Sequence, residues 1–371
     1  MAKFKVLLIY PNLQMVNLLP TNIAVLAAYL KEHDIDVALF DTTLYRTSNR
    51  SVDDIRVEHL QLRPFNLKEK GVGYNTTDIF DDFLKIVDGY KPDLMAVSAT
   101  DDTFDLGMSL VSRARGRGIP VVVGGVFPTF EPHEAINNEN VDFICMGEGE
   151  DALVELCRYI QKGKKPTGLK NIWAKIEGEV YQNPIREPIE IETLPYDDFS
   201  VFDDKRFFRP MQGKVYRMLP VAIDRGCLFN CSFCAAPVIR HLYRKTGGRQ
   251  YFRIKSTKRI LKELTHYISK YKADYIYFNS ETFFSRKEKD IEEFGEEYAS
   301  KIHLPFWCQT RIETISTRMV RVLKRMGCDR ISLGIEHGNE KFRRSFLRKP
   351  FTNKEVSAAF EILNNNGMKV T

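Results

Sequence analysis

Residues 225–237 read RGCLFNCSFCAAP and place Cys227, Cys231 and Cys234 within eight residues, in a chain of 371 residues with seven cysteines in all. Thiols this close belong either to a disulfide framework or to a metal site. The chain opens MAKFKVLLIYPNLQ, where a few apolar residues run into Pro11. That run is too short for a signal-peptide core or a membrane span. We therefore expect a cytoplasmic protein with no membrane span, in which clustered cysteines favour metal. A structural zinc site wants four N or S ligands; beyond the three cysteines the nearest candidate is His241, at no suitable spacing. Three thiolates on one loop suit a [4Fe-4S] cluster, since such clusters are held by cysteine. The fourth iron would stay open to a substrate or cofactor, as the free position of a catalytic metal site does. Cys145, Cys157, Cys308 and Cys328 lie in apolar patterns and are expected to pack in cores.

The elements around this loop follow from composition and periodicity. Hydrophobic residues make up 43% and charged residues 28% of the chain, which predicts ordinary globular cores, and the length suffices for two domains. The net charge of +6 is spread along the chain, so no nucleic-acid partner is expected. Up to residue 165, apolar strand runs alternate with helical patterns. Strands are predicted in 4–11, 35–41, 92–100, 119–128 and 141–150. Helices are predicted in 21–34 (capped by Thr21 or Asn22), 77–90, 104–118 and 151–163. Alternation of this kind predicts a doubly wound parallel sheet whose ligand crevice lies at the carboxyl ends of the strands. Those ends read YPNLQ, SATDD, GGVFPT and GEGE, rich in Gly, Pro and small polar residues. No G-x-G-x-x-G follows the first strand, which argues against a dinucleotide. Residues 166–214 lose the rhythm and read as a linker with a hairpin at Glu177-Gly178. From 215 to 371 it returns as four βα units and the start of a fifth at MKVT. The expected fold class is α/β, a Rossmann-like domain (1–165) followed by a partial (β/α) barrel (215–371).

CLFNCSFC resembles the cluster-binding motif of the radical S-adenosylmethionine (SAM) enzymes, with the aromatic Phe233 before the third cysteine. PVVVGGVFPTFEP, DFICMGEGE and SLGIEHGNEKF resemble segments of the large subclass in which a cobalamin-binding domain precedes the radical SAM barrel. The resemblance implies that Cys227, Cys231 and Cys234 hold the cluster and that SAM chelates the open iron through its amino and carboxylate groups. Reductive cleavage would release a 5'-deoxyadenosyl radical, and methylcobalamin would then methylate an unactivated carbon or phosphorus centre. It further implies SAM contacts at Phe233, Ser280, Glu281, Arg311 and Glu336. In FNSETF, Ser280 departs from the two adjacent acids of the family, leaving Glu281 as acceptor; Arg311 would pair with the SAM carboxylate and Glu336 would face the ribose. Cobalamin would lie against Asn12, Ser98, Thr100, Gly124, Gly125, Phe127, Pro128, Thr129, Gly147, Glu148 and Gly149. No Asp-x-His-x-x-Gly occurs, so a protein histidine on cobalt is not expected.

A small-molecule or peptide substrate and an electron donor such as flavodoxin or ferredoxin are the implied partners. The family barrel has six units, so the natural protein is expected to be longer. Radical SAM cyclisation or rearrangement, with the corrinoid absent or otherwise used, is the alternative within the same chemistry. An iron–sulfur electron-transfer or sensor protein is the alternative outside it.

Overall fold

The computed structural model describes residues 3–371. They form two compact units. One runs to Ile189 and takes in Leu194–Val215; the other holds Glu190–Thr193 and Tyr216–Thr371.

In the first unit, β1 (Lys5–Tyr10), β2 (Asp36–Asp41), β3 (Leu94–Ser98), β4 (Val121–Gly124) and β5 (Phe143–Cys145) run parallel in the order β2-β1-β3-β4-β5. Their central residues are Val, Ile, Leu, Met and Phe, and Val6, Leu7, Ile9, Met95, Val121 and Val123 are fully buried. Only a sheet covered on both faces favours strands apolar at successive positions. The cover comes from helices Thr21–Glu32, Ile79–Tyr90, Asp101–Ala114 and Glu150–Gln161. The cap expected at Thr21 or Asn22 falls instead at Pro20, and the Asn22 amide donates to Ser98 Oγ at 3.1 Å. Strand order reverses direction between β1 and β3, the switch point at which doubly wound sheets bind ligands.

Two expectations change here. The hairpin assigned to the 166–214 linker instead extends the sheet: β6 (Ile172–Ile176) pairs antiparallel with β5, and β7 (Glu179–Gln182) with β6. Ile172, Trp173 and Ala174 are buried there, so this segment has a core face that linkers lack. Further on, buried Arg206 donates to Asp41 Oδ2 at 2.7 Å and to the Val16 carbonyl at 3.0 Å, tying the later part of the supposed linker to the same unit. The second change is at β4, which stops at Gly124 rather than continuing to Pro128; Val126–Phe130 is a short helix.

After β8 (Phe208–Met211), the second unit unfolds as β9 (Lys214–Val221), β10 (Asp224–Arg225), β11 (Arg253–Ile254), β12 (Tyr275–Phe278), β13 (Phe306–Thr310), β14 (Cys328–Leu333) and β15 (Lys369–Val370). Strands β9, β12, β13, β14 and β15 lie side by side, all parallel, as a curled half-barrel sheet. Helices Thr257–Tyr271, Glu288–Lys301, Thr317–Met326 and Asn353–Asn365 complete the βα units. Ser256, Ser316 and Thr352 side chains cap three of them. Phe278, Phe283, Phe294, Tyr298 and Phe306 pack edge-on or tilted beneath the sheet. The four cysteines outside the loop are buried, as expected. Helix Ala235–Arg244, the antiparallel ribbon β10–β11 and helix Glu340–Ser345 were not anticipated.

Gly125 adopts φ +101°, ψ −162°, a backbone region that is essentially glycine-only. A Cβ there would stand 2.6 Å from the Ala99 carbonyl oxygen. The Gly125→Ala variant should lose about 2 kcal/mol or more of stability without any ligand present. Denaturant unfolding of the cofactor-free chain checks this; an unchanged midpoint would contradict it.

Candidate functional site

The cysteine loop leaves the sheet at the carboxyl end of β9. Gly226, at φ +88°, makes the turn, where a Cβ would meet the Tyr251 ring at 2.8 Å. Cys227 and Cys231 are nearly buried at 9% and 8% exposure. Cys234 is half-buried and occupies the N-cap of helix Ala235–Arg244, whose first N–H groups favour negative charge. Arg240, one face further along that helix, reaches back into the loop. It donates to the Cys227 carbonyl at 2.6 Å, to the Phe229 carbonyl at 3.3 Å and to Asn230 Oδ1. On the loop's other side, the Ser232 hydroxyl donates to the Phe346 carbonyl at 2.6 Å and its N–H to the Leu347 carbonyl at 3.2 Å. Arg311, at the end of β13, donates from Nη1 to Cys231 Sγ at 2.8 Å. It stacks over the Phe229 ring at 3.9 Å and is held in place by Glu313. Burial pushes the Cys227 thiol up, while the Phe229 backbone N–H and the Thr282 hydroxyl pull it back.

This donor set fits a cluster better than a single ion. Among the described residues, no three His, Cys, Asp or Glu side chains converge on one point. In a four-iron cube each thiolate takes a different iron, so the sulfurs stand further apart than the ligands of one ion. The thiols are unpaired with one another, and a guanidinium already lies against one of them, as a cluster carrying net negative charge would favour.

The residues expected around SAM divide into three situations. Glu281 is exposed at the carboxyl end of β12, with its carboxyl raised by desolvation. Phe233 is 53% exposed, presenting its ring beside the loop. Ser280 is buried and its hydroxyl donates to Asp224 Oδ2 at 2.6 Å. Arg311 is engaged with the Cys231 sulfur and Glu313, so the pairing expected with a SAM carboxylate would have to share the guanidinium. Glu336 sits in the left-handed region at φ +67° and is gripped by the buried Lys349 ammonium at 2.7 Å, which also donates to the Gly334 carbonyl at 2.6 Å. A Cβ on Gly334 would lie 2.5 Å from Glu336 Oε1, so glycine there leaves room for the clamp.

Sequence reasoning missed Asp224, Arg240, Lys349 and Thr282. Asp224 was visible next to the motif in IDRGC, whereas nothing in the sequence joins Lys349 to Glu336.

In the first unit, the carboxyl ends of β1, β3, β4 and β5 bring the expected corrinoid residues to one edge, but many are engaged internally. The Asn12 amide donates to the Val16 carbonyl and to Thr43 Oγ1. The Thr100 N–H donates to Thr103 Oγ1 in a helix-capping turn. The Thr129 hydroxyl donates to the Gly125 carbonyl and accepts from the Gly147 N–H, bolting the β4 loop to the β5 loop. Glu148 Oε2 accepts from the Ile189 N–H. Phe127 is buried on Phe104, with ring centroids 4.3 Å apart, and Pro128 is buried beside it. What the edge offers outward is half-buried Ser98, Gly124, Gly147 and Gly149, together with the exposed apolar side chains of Leu13 and Val126. Small residues flanked by exposed apolar ones suit a broad, flat macrocycle.

Comparison with known proteins agrees with this geometry. The Radical SAM superfamily pattern matches residues 221–371 and the B12 binding domain pattern matches 16–157. An uncharacterized methyltransferase of Pyrococcus horikoshii is 24% identical over 293 residues, covering 78% of this chain and 61% of that one. The anaerobic magnesium-protoporphyrin IX monomethyl ester cyclase of a Synechocystis strain is 26% identical over 252 residues, 63% of this chain and 45% of the cyclase. The cobalamin-dependent SAM radical enzyme OxsB, solved with aqua-cobalamin and SAM bound, superposes with a TM-score of 0.74 at 18% identity, over 99% of this chain and 48% of OxsB.

The two units are a cobalamin-binding α/β sheet and a radical SAM half-barrel. Residues 221–371 belong to the radical SAM superfamily, and residues 16–157, ahead of them, match the B12 binding domain. Its cofactors are a [4Fe-4S] cluster, SAM and cobalamin. It spans about half the length of the relatives it matches.

Two outcomes follow for the loop. Charge-assisted hydrogen bonds contribute about 1.5–3 kcal/mol each, so Arg240→Ala should loosen the loop and lower iron uptake at limiting iron and sulfide, with Arg240→Lys intermediate; iron per chain after anaerobic reconstitution reads this. Burial also pushes the Asp224 carboxyl up to about 7. A raised acid favours the fold while protonated. Its contribution is full below the ordinary aspartate value of about 3.9 and is lost as pH rises through about 7. The melting temperature of the cofactor-free chain should therefore fall between pH 5 and pH 8, and fall less in Asp224→Asn.

Proposed function

We propose that this chain is the cofactor-bearing part of a cobalamin-dependent radical SAM methyltransferase that modifies an unactivated carbon or phosphorus centre of a small molecule or peptide. The observation that carries the reading is the cysteine loop itself. It offers three thiols and no fourth ligand, with acids and a guanidinium gathered at the adjoining strand ends. When bound, the cluster supplies an electron to the SAM sulfonium and the corrinoid supplies methyl-transfer chemistry.

The chain's own residues do the holding. Cys227, Cys231 and Cys234 ligate the cluster. Arg311 keeps a positive charge against the Cys231 sulfur, which favours the reduced, more negative state. Glu281 accepts from the SAM amino group. The Lys349 clamp fixes the Glu336 carboxylate, so that it accepts from ribose hydroxyls without having to be ordered on binding. The Phe233 ring gives an apolar face for the ligand. Ser98, Gly124, Gly125, Gly147 and Gly149, with Leu13 and Val126, seat the corrinoid. Asn12, Thr100, Phe127, Pro128, Thr129 and Glu148 shape that edge from behind. The unit boundaries support a division near residues 190–215, in place of a free-standing linker. A one-electron protein such as flavodoxin or ferredoxin is the proposed reductant, and the cytoplasm the proposed compartment. Among the described residues, no helix is long and apolar enough to cross a membrane.

Similarity to a cyclase keeps cyclisation as a second reading, in which no methyl group leaves SAM for product. A plain electron carrier has no use for the Lys349–Glu336 clamp. The test is anaerobic reconstitution with iron, sulfide and hydroxocobalamin, then incubation with methyl-labelled SAM, a reductant and cell extract. Formation of 5'-deoxyadenosine together with label in a non-protein product supports methylation. Deoxyadenosine with unlabelled, altered product supports cyclisation or rearrangement. Cys231→Ala should abolish deoxyadenosine formation; retained formation would sink the assignment.

A further inference from the structure

Between Arg225 and Lys262 the chain carries ten Lys or Arg and no Asp or Glu. Lys and Arg are spread along the whole sequence, but their excess is not. Without these ten, the 55 basic residues become 45 against 49 acids, so the net +6 of the chain arises in this one segment. The segment holds the cysteine loop, the helix Ala235–Arg244 that Cys234 begins, strand β11 and the start of the next helix.

Part of this charge is used inside the unit. Arg240 holds the loop carbonyls, Arg253 lies buried over the Tyr251 ring, and Lys255 and Arg259 both pair with Glu263. Arg244 and Lys245 are different. Both are exposed, and among the described residues their side chains have no hydrogen-bond or ion-pair partner. Arg249, also exposed, lies 3.6 Å from Glu190 at the surface. Two ordinary explanations fall short. Cations in a helix's last turn favour its dipole, which accounts for Arg244 but not for 38 residues without an acid. Compensation of the three thiolates would call for charge close to them. At the rise of an α-helix, Lys245 stands about 15 Å along the axis from Cys234, in solvent that screens it.

The same helix exposes an apolar side chain at its cluster end. Val238, one turn from Cys234, is 55% exposed, and Leu228 on the loop is 51% exposed, between the Cys227 and Phe229 carbonyls that Arg240 holds. An apolar centre with a charged rim is the make-up of a protein–protein contact.

We infer that the outer face of helix Ala235–Arg244, with Leu228, docks a small acidic electron-carrier protein. This rests on the reading of the loop as a cluster site and adds the partner's place on it. The step is transfer of one electron: the carrier's flavin or iron–sulfur centre is oxidised, the cluster is reduced, and no bond or proton changes hands. Contact at Leu228 and Val238 sets the carrier one residue from Cys227 and four from Cys234 along the chain. Arg244, Lys245 and Arg249 draw in its acidic surface and orient it. A nucleic acid would seek the same charge but brings no electron, and Tyr243 and Tyr251 stack on each other, 5.2 Å between centroids, rather than standing open to bases.

The experiment uses the full 371-residue chain, anaerobically reconstituted with iron and sulfide, with iron content as the loading control. Stopped-flow absorbance follows cluster reduction by reduced flavodoxin, by a reduced acidic ferredoxin and by reduced methyl viologen, a small cation, at low and at physiological ionic strength. The variants are Arg244→Glu/Lys245→Glu, Val238→Ser, and Lys289→Glu/Lys354→Glu, an equal change of charge at exposed positions elsewhere on the unit. Steering changes association rates by about 10-fold to 1,000-fold. The Arg244/Lys245 reversal should therefore slow reduction by the faster carrier about 10-fold or more at low ionic strength, and less at physiological. Reduction by methyl viologen should not slow, and the control pair should stay close to wild type. Val238→Ser should weaken binding of the oxidised carrier, read by calorimetry, without changing its salt dependence. Arg244→Gln/Lys245→Gln stands in should the reversal fail to load iron. Equal slowing in both charge-reversed pairs, slowing with methyl viologen, or no slowing overturns the inference. So does wild type that neither carrier reduces, or a labelled RNA oligonucleotide whose binding the reversal abolishes while carrier reduction is kept. Wild type that takes up no cluster overturns instead the reading on which it rests.

Discussion

The second unit is organised around a problem of like charge. Three thiolates presented within eight residues repel one another, and a loop that carries them needs opposing charge and a rigid frame. Two guanidiniums meet the need differently. Arg311 meets a thiol sulfur directly, from the far strand β13. Arg240 meets the loop's carbonyls, from the helix that the third cysteine begins. Lysine in either place would offer a point charge in place of a planar fork able to hold several acceptors at once. The loop's shape is therefore fixed by side chains from elements on both sides of it.

Both units place their working residues at the carboxyl ends of parallel strands, which follows from the topology. A parallel strand buried on both faces has no free side chain along its length, so function collects where the strands stop. In the first unit that edge is mostly self-bonded. The Thr129 hydroxyl, with one donor and one acceptor contact, holds two loops at a fixed separation, and Gly125 lets the backbone pass Ala99 where a side chain would collide. Residues that looked like ligand contacts in the sequence are in several cases the braces of the site.

The strands were legible because VLLI, MAV and VVV admit few other fates, and the cysteine loop because its spacing is rare. The hairpin after residue 170 was legible, but its place in the sheet was not. An edge hairpin has alternating, mixed polarity, and only its contact with β5 reveals that Ile172 and Trp173 are core. Helix Ala235–Arg244 was hidden by the loop that precedes it. Its apolar positions are broken by Pro237 and by Arg240 and His241. Ion pairs across long sequence gaps were illegible for a simpler reason. The sequence states that Lys349 is a charge, while only the fold states that it is buried against Glu336.

That clamp shows why a buried lysine is tolerated here. Desolvating an ammonium costs several kcal/mol or more unless its donors are matched. Lys349 donates one hydrogen bond to Glu336 and one to the Gly334 carbonyl, and it lies 5.9 Å from the centres of both the Phe233 and Phe351 rings, whose faces favour a cation. Phe233 belongs to the cysteine loop and Glu336 to the end of the fourth barrel strand. One ammonium thus couples the cluster loop to the distant carboxylate, so that strain at Glu336, held at positive φ, is compensated by contacts that also order the loop. Removing the charge would release both ends together, which makes the clamp a structural link between the cluster side of the site and the ribose side.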